Sequence, residues 1–83
     1  MIVLTGRHFR AARALLGWTQ EELSRKAKAA LGTVIRLEGF EGPVHTRMDT
    51  LGRIVAVLER AGIEFLDDGQ PGVRLRARGS RRG

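Results

Sequence analysis

No cysteine occurs in the chain, so disulfides, thiolate nucleophiles and cysteine-based zinc sites are all excluded. Tyrosine is absent too and aromatics make up only 5%, so a core has to be built mostly from Leu, Ile, Val and Ala. No apolar run approaches the roughly 20 residues of a membrane-spanning helix. The apolar opening MIVL gives way at Gly6 and Arg7, well short of the apolar segment of a secretory signal. The expectation is a soluble, cytoplasmic protein with no membrane partner. At 83 residues there is room for one domain, and a chain of this size buries only about 60–65% of its unfolded surface.

Acidic residues are in short supply: 9 against 15 basic ones, for a net charge of +6. That excess points to a nucleic-acid partner, but five arginines lie in the last ten residues and no acid accompanies them. Residues 1–73 hold ten basic and nine acidic residues, so any charged footprint on the folded body must come from arrangement.

What is present is punctuated helical periodicity. Val3 and Leu4 form a short extended lead, with Thr5 placed to cap the helix that follows. RHFRAARALL places Phe9, Ala12 and Leu16 on one stripe, and Gly17 is a left-handed stop. Arg7, Arg10 and Arg13 follow each other at i+3 spacing beside that stripe, and Arg7 and Arg10 read either as a solvated face or as phosphate contacts. Thr19 and Glu22 form a capping box and Trp18 and Leu23 a hydrophobic staple, so a second helix opens at Thr19. Leu23 and Ala27 point inward. A third helix is predicted over 30–38, with Val34 and Leu37 buried and Gly39 as its stop.

Thr46 followed by Asp49 reads as a capping-box variant opening a fourth helix at about 47–61, with Met48, Leu51, Ile54, Val55, Leu58 and Ala61 as its apolar face. After Gly62 the period changes to two: IEF and VRL flank the turn-rich DDGQPG, a β-hairpin over about 63–76. A lone two-stranded hairpin is marginal in water, so it must rest on the helices or pair with a second copy. Residues 77–83 are expected to be a disordered basic tail.

The stretch LLGWTQEELSRKA, a short turn and TVIRLEGF resembles the helix-turn-helix of the lambdoid-repressor class, the XRE family. It aligns on Thr19, Gln20, Leu23, Ala27, Thr33, Val34, Leu37 and Glu38. The whole chain resembles short bacterial regulators of that class that append a hairpin. The resemblance implies a mainly α fold, a lambda-repressor-like DNA-binding domain of four to five helices over residues 1–76, with the helix-turn-helix at 19–38 and a C-terminal β-hairpin. It implies that Gln20 contacts a phosphate, that Arg13 and Glu38 form an ion pair between the first and third helices, and that Leu31, Gly32, Thr33 and Arg36 face the major groove.

The chain departs from the family's pattern at the turn. Lys28 stands where a glycine is usual, at a left-handed backbone cost of about 1 kcal/mol. Ala30 replaces a capping Ser or Thr, a loss of roughly 1 kcal/mol. Leu31 replaces a polar base-reading residue and Gly32 offers no side chain. Local propensity alone would let RKAKAAL continue as one helix.

Two functions from different classes fit. In the first, the protein is a sequence-specific DNA-binding transcriptional regulator, a repressor, acting as a homodimer with half-sites roughly 34 Å apart. Arg36 would bond guanine, Thr33 and Leu31 would read neighbouring bases, and Gln20, Arg7, Arg10 and Arg47 would hold phosphates. In the second, the same scaffold is a protein-interaction or antitoxin-like module that docks a partner through the hairpin edge or the apolar tip of the third helix. Enzyme activity is not expected. His8 and His45 read as solvated residues, no carboxylates converge at metal-ligand spacing, and Asp67-Asp68-Gly69 reads as a turn lacking the remaining ligands of a calcium loop, so no metal or cofactor is predicted.

Overall fold

The computed structural model describes residues 4–41, 44–67 and 70–76. The expectations for Val3, for the Gly42-Pro43 turn and for the tail 77–83 lie outside these residues, as do Asp68 and Gly69. Four helices, α1 (Gly6–Leu16), α2 (Gln20–Ala27), α3 (Leu31–Glu38) and α4 (Met48–Arg60), precede a two-stranded antiparallel hairpin of β1 (Ile63–Asp67) and β2 (Pro71–Leu75). The fold is mainly helical. Among the described residues no helix is long and apolar enough to cross a membrane.

Helix α1 starts one residue before the stretch read from the sequence, because Gly6 is packed against the end of α3. Its N–H donates to the Phe40 carbonyl at 3.1 Å, and a β-carbon on it would lie 2.5 Å from the Glu38 carbonyl oxygen. Gly17 closes α1 in the left-handed region at φ 72°. At the head of α2, Glu22 N–H donates to Thr19 Oγ1 at 3.0 Å and Thr19 N–H donates to Glu22 Oε1 at 2.7 Å, the reciprocal pair of a capping box.

The start of α4 corrects the sequence reading. Arg47, not Thr46, occupies the cap position and lends no side-chain cap. Asp49 sits too close to the helix start to bond back; it accepts instead from Arg47 Nε at 3.1 Å and from Thr50 N–H at 2.8 Å. Met48, assigned to the apolar stripe, is 81% exposed, because the helix has not yet come over the core at its first residue. Val57 is buried and was not counted on that stripe. Ala61 is the C-cap, and Gly62 just beyond it takes φ 112°, turning the chain into the hairpin.

Core residues come from every helix and from β1: Phe9 and Ala12, Leu23 and Ala27, Val34 and Leu37, Ile54 and Leu58, and Ile63. Their aliphatic make-up follows from the shortage of aromatics. The hairpin pairs Ile63 with Leu75, Glu64 with Arg74 and Phe65 with Val73. It rests on the helices, with β2 against α1 and β1 against α4. Ile63 is buried, and the Phe65 ring lies 6.1 Å from that of Phe9. The first of the two supports expected for a marginal hairpin is therefore provided within one chain.

Candidate functional site

The second and third helices meet at a tight bend whose geometry is fixed by residues the sequence made expensive. Lys28 adopts φ 55°, ψ 44°, and is the non-glycine residue with positive φ among those described. Ala29 N–H donates back to the Ser24 carbonyl at 3.0 Å and Lys28 N–H to the Arg25 carbonyl at 3.3 Å, a Schellman closure, and Ala29 itself is buried. Ser24 Oγ donates to the Ala29 carbonyl at 2.5 Å.

From α4, Arg53 reaches across and donates to the Ala27 carbonyl at 3.1 Å and the Lys28 carbonyl at 3.2 Å. These are carbonyls that a helix end leaves without internal partners. Arg53 therefore offsets part of the cost of bending at a lysine. Nothing in its own sequence neighbourhood marks it, and sequence reasoning missed it.

Past the bend, Ala30 takes the cap position before α3 and supplies no side-chain cap. Val34 and Leu37 anchor it in the core. Its far end is held by a polar cluster around Glu38, which is 2% exposed. Arg13 donates to both carboxylate oxygens, through Nε at 2.8 Å and Nη2 at 3.0 Å, and its Nη1 donates to the Trp18 carbonyl at 2.9 Å. The hydrogen bond to Glu38 holds the Arg13 guanidinium above its ordinary pKa, against the opposing effect of burial. Gln20 Nε2 donates to the same carboxylate at 3.0 Å, and Arg10 Nη1 donates to the Glu38 carbonyl. One buried acid thus ties α1, the start of α2 and the end of α3 together.

The expected ion pair between Arg13 and Glu38 is formed in the structure. Gln20 and Arg10, read as phosphate contacts, spend donors on that internal cluster. Arg7 lies 3.4 Å from Glu41 and Arg47 3.1 Å from Asp49, both as exposed pairs.

On the outward side of α3, Leu31 and Ile35 form one i, i+4 row and Gly32 and Arg36 the next, all four exposed, with Thr33 half-buried beside them. The structure therefore leaves Leu31, Gly32 and Arg36 exposed on the outward side of α3, with Thr33 at its half-buried edge. Ile35, half exposed between them, was not singled out in the sequence. The signal was available: with Val34 and Leu37 assigned inward, helical spacing turns position 35 outward.

His8 is a correction. Read as solvated, it is 5% exposed. Its Nδ1 accepts the Thr5 N–H at 3.0 Å, satisfying a free donor at the start of α1, and its ring faces Phe65 at 6.2 Å. Burial lowers its pKa below the ordinary histidine value. Among the described residues no group of three His, Asp or Glu side chains lies close enough to hold a metal ion.

No model of a known protein family matches this chain, and no curated protein matches it.

Proposed function

We propose that the protein is a sequence-specific DNA-binding transcriptional regulator of the lambdoid-repressor type, a cytoplasmic repressor that lays α3 in the major groove as a homodimer. The observation that supports this most is the outward face of α3. A short helix is fixed at its inner side by Val34, Leu37 and Glu38, and it leaves Leu31, Gly32, Thr33 and Arg36 outside the core. Arg36 is suited to bidentate bonding with guanine, and Leu31 to contact with a thymine methyl.

Phosphate contacts are compatible with the internal cluster. A glutamine amide has two N–H donors, of which Gln20 uses one on Glu38; a guanidinium has five, and Arg10 uses one. The pairs of Arg7 with Glu41 and Arg47 with Asp49 are exposed, and such pairs are worth about 0–1 kcal/mol, so a phosphate can displace either carboxylate.

The test is selection of binding sites from a random duplex library, followed by a polarisation titration at several salt concentrations. Arg36→Ala should weaken the selected site by about ten- to a hundredfold, the worth of one bidentate base contact, while non-specific binding stays nearly unchanged. Absence of salt-sensitive binding, or identical affinity for the variant, refutes base reading by Arg36.

A second reading is favoured by one observation: Leu31 at 37% and Ile35 at 50% exposure make an apolar row on the same face. That row suits an antitoxin-like or adaptor module docking a partner protein. A stoichiometric protein partner lost on Ile35→Lys, in a chain without DNA affinity, would favour it over the first.

A further inference from the structure

Ile35 has no part in the base reading assigned to Arg36 and Leu31, yet it stands beside them half exposed. With Val34, Leu37 and Glu38 turned inward, a helix of about 3.6 residues per turn aims Gly32 and Arg36 directly away from the core. Leu31 and Ile35 form the apolar flank next to that direction.

Gly32 has no internal reason to be glycine. Its φ is not positive, and a β-carbon on it would meet no atom within 4 Å. Glycine weakens a helix relative to alanine, so the packing of this chain does not account for it. What the missing side chain provides is a notch, bordered by Leu31 and, one turn on, by Ile35 and Arg36, where another molecule can come close to the backbone.

Charge indicates what kind of molecule fits. From Leu23 to Leu37 the chain holds Arg25, Lys26, Lys28 and Arg36, all exposed, and no acidic residue. An apolar row framed by cations alone matches a polyanion that carries small apolar groups. On the base edges of the DNA major groove such a group is the C5 methyl of thymine, and 5-methylcytosine carries the same methyl at the same ring position. A methyl on the base 5′ to a guanine lies beside that guanine's O6 and N7 edge, as Ile35 lies beside Arg36 on the helix.

We propose that the notch at Gly32 seats the C5 methyl of a pyrimidine whose 3′ neighbour is the guanine bonded by Arg36, with Ile35 closing over the methyl. The third helix then reads a thymine–guanine step and a 5-methylcytosine–guanine step alike, so cytosine methylation at the site raises affinity. This contact rests on the DNA-reading assignment above and adds to it a response to the methylation state of the target.

The test is a polarisation titration of the full chain with duplexes of the selected site, exchanging single bases in one half-site. At the base 5′ to the guanine, thymine against uracil and 5-methylcytosine against cytosine each differ by the methyl alone. The methylated base should bind about fourfold more tightly in both comparisons, the worth of one buried methyl group. Ile35→Ser, at a half-exposed position, should bring both ratios close to one. Replacing the guanine by 7-deazaguanine should weaken the unsubstituted chain about tenfold and leave Arg36→Ala unchanged, which reads the arginine contact separately. Absence of DNA binding, or no effect of 7-deazaguanine, removes base reading by Arg36 and this proposal with it. A selected site without a pyrimidine–guanine step, equal affinity for methylated and unmethylated bases, or methyl discrimination that survives Ile35→Ser overturns the methyl contact alone.

Discussion

Replacing Arg13 with alanine tests the polar cluster that fixes α3. Glu38 is 2% exposed and receives three side-chain N–H groups, two of them from Arg13. The substitution leaves a buried carboxylate with Gln20 as its remaining side-chain donor. Removing one partner of a buried pair costs about 3–5 kcal/mol. Arg13 itself retains 22% side-chain exposure, which lets water reach the vacated position, so the lower end, about 3 kcal/mol, is expected.

A domain of 83 residues has a total stability of roughly 4–12 kcal/mol. The loss is therefore a large fraction of the whole, and at about 4–8 °C per kcal/mol it lowers the melting midpoint by about 12–24 °C. Urea unfolding followed by the fluorescence of Trp18, the single tryptophan, reads the same change, and the Trp18 carbonyl accepts directly from Arg13. Replacing both partners, Arg13→Met with Glu38→Leu, removes the stranded charge and should cost far less than the single substitution. A loss below about 1 kcal/mol for Arg13→Ala, or a double variant as unstable as the sum of its two singles, would show that the pair is not the constraint described.

Three further outcomes follow from the geometry. Lys28→Gly should raise stability by about 1 kcal/mol, since glycine takes φ 55° without the steric cost lysine bears; an unchanged or lower melting midpoint would count against the left-handed bend. Gly6→Ala should cost about 2 kcal/mol or more, because the added methyl meets backbone carbonyl oxygens at 2.5 and 2.6 Å that cannot move aside without shifting α3; wild-type stability in chemical denaturation would contradict that contact. His8 makes stability fall in mild acid. Its folded pKa lies below the unfolded value of 6.5, so its contribution is complete above 6.5 and declines as pH drops below it, where the unfolded chain takes up the proton first. Urea midpoints between pH 7.5 and 5 should show a decline that His8→Gln reduces.

The punctuation of this fold was legible where a single residue type has a single local use. Thr19 with Glu22 and Gly17 marked helix ends that the structure forms in the same places. The change of period after Gly62 marked the hairpin. Thr46 misled because the helix starts one residue later than its spacing from Asp49 implies: Arg47 takes the cap position and pairs with Asp49, which therefore does not bond back. His8 misled for a different reason. Its burial depends on Phe65, more than fifty residues away, which no local pattern reports.

The candidate site was legible in its inner half, since Val34 and Leu37 declare themselves by spacing. The polar constraints were not. That Gln20 bonds Glu38 and that Arg53 holds the Ala27 and Lys28 carbonyls are facts of tertiary approach, and a sequence supplies only the donors.

The two ends of α3 are held very differently, and this has a mechanical consequence. Its C-terminal end is clamped by Arg10, by Gly6 and by the bonds on Glu38, while its first turn starts at an alanine with no cap. The N–H groups at the start of α3 have no side-chain acceptor, so amide hydrogen exchange should be faster in its first turn than around Leu37 and Glu38. A partner that supplies an acceptor at the first turn would satisfy those donors at the cost of ordering itself there.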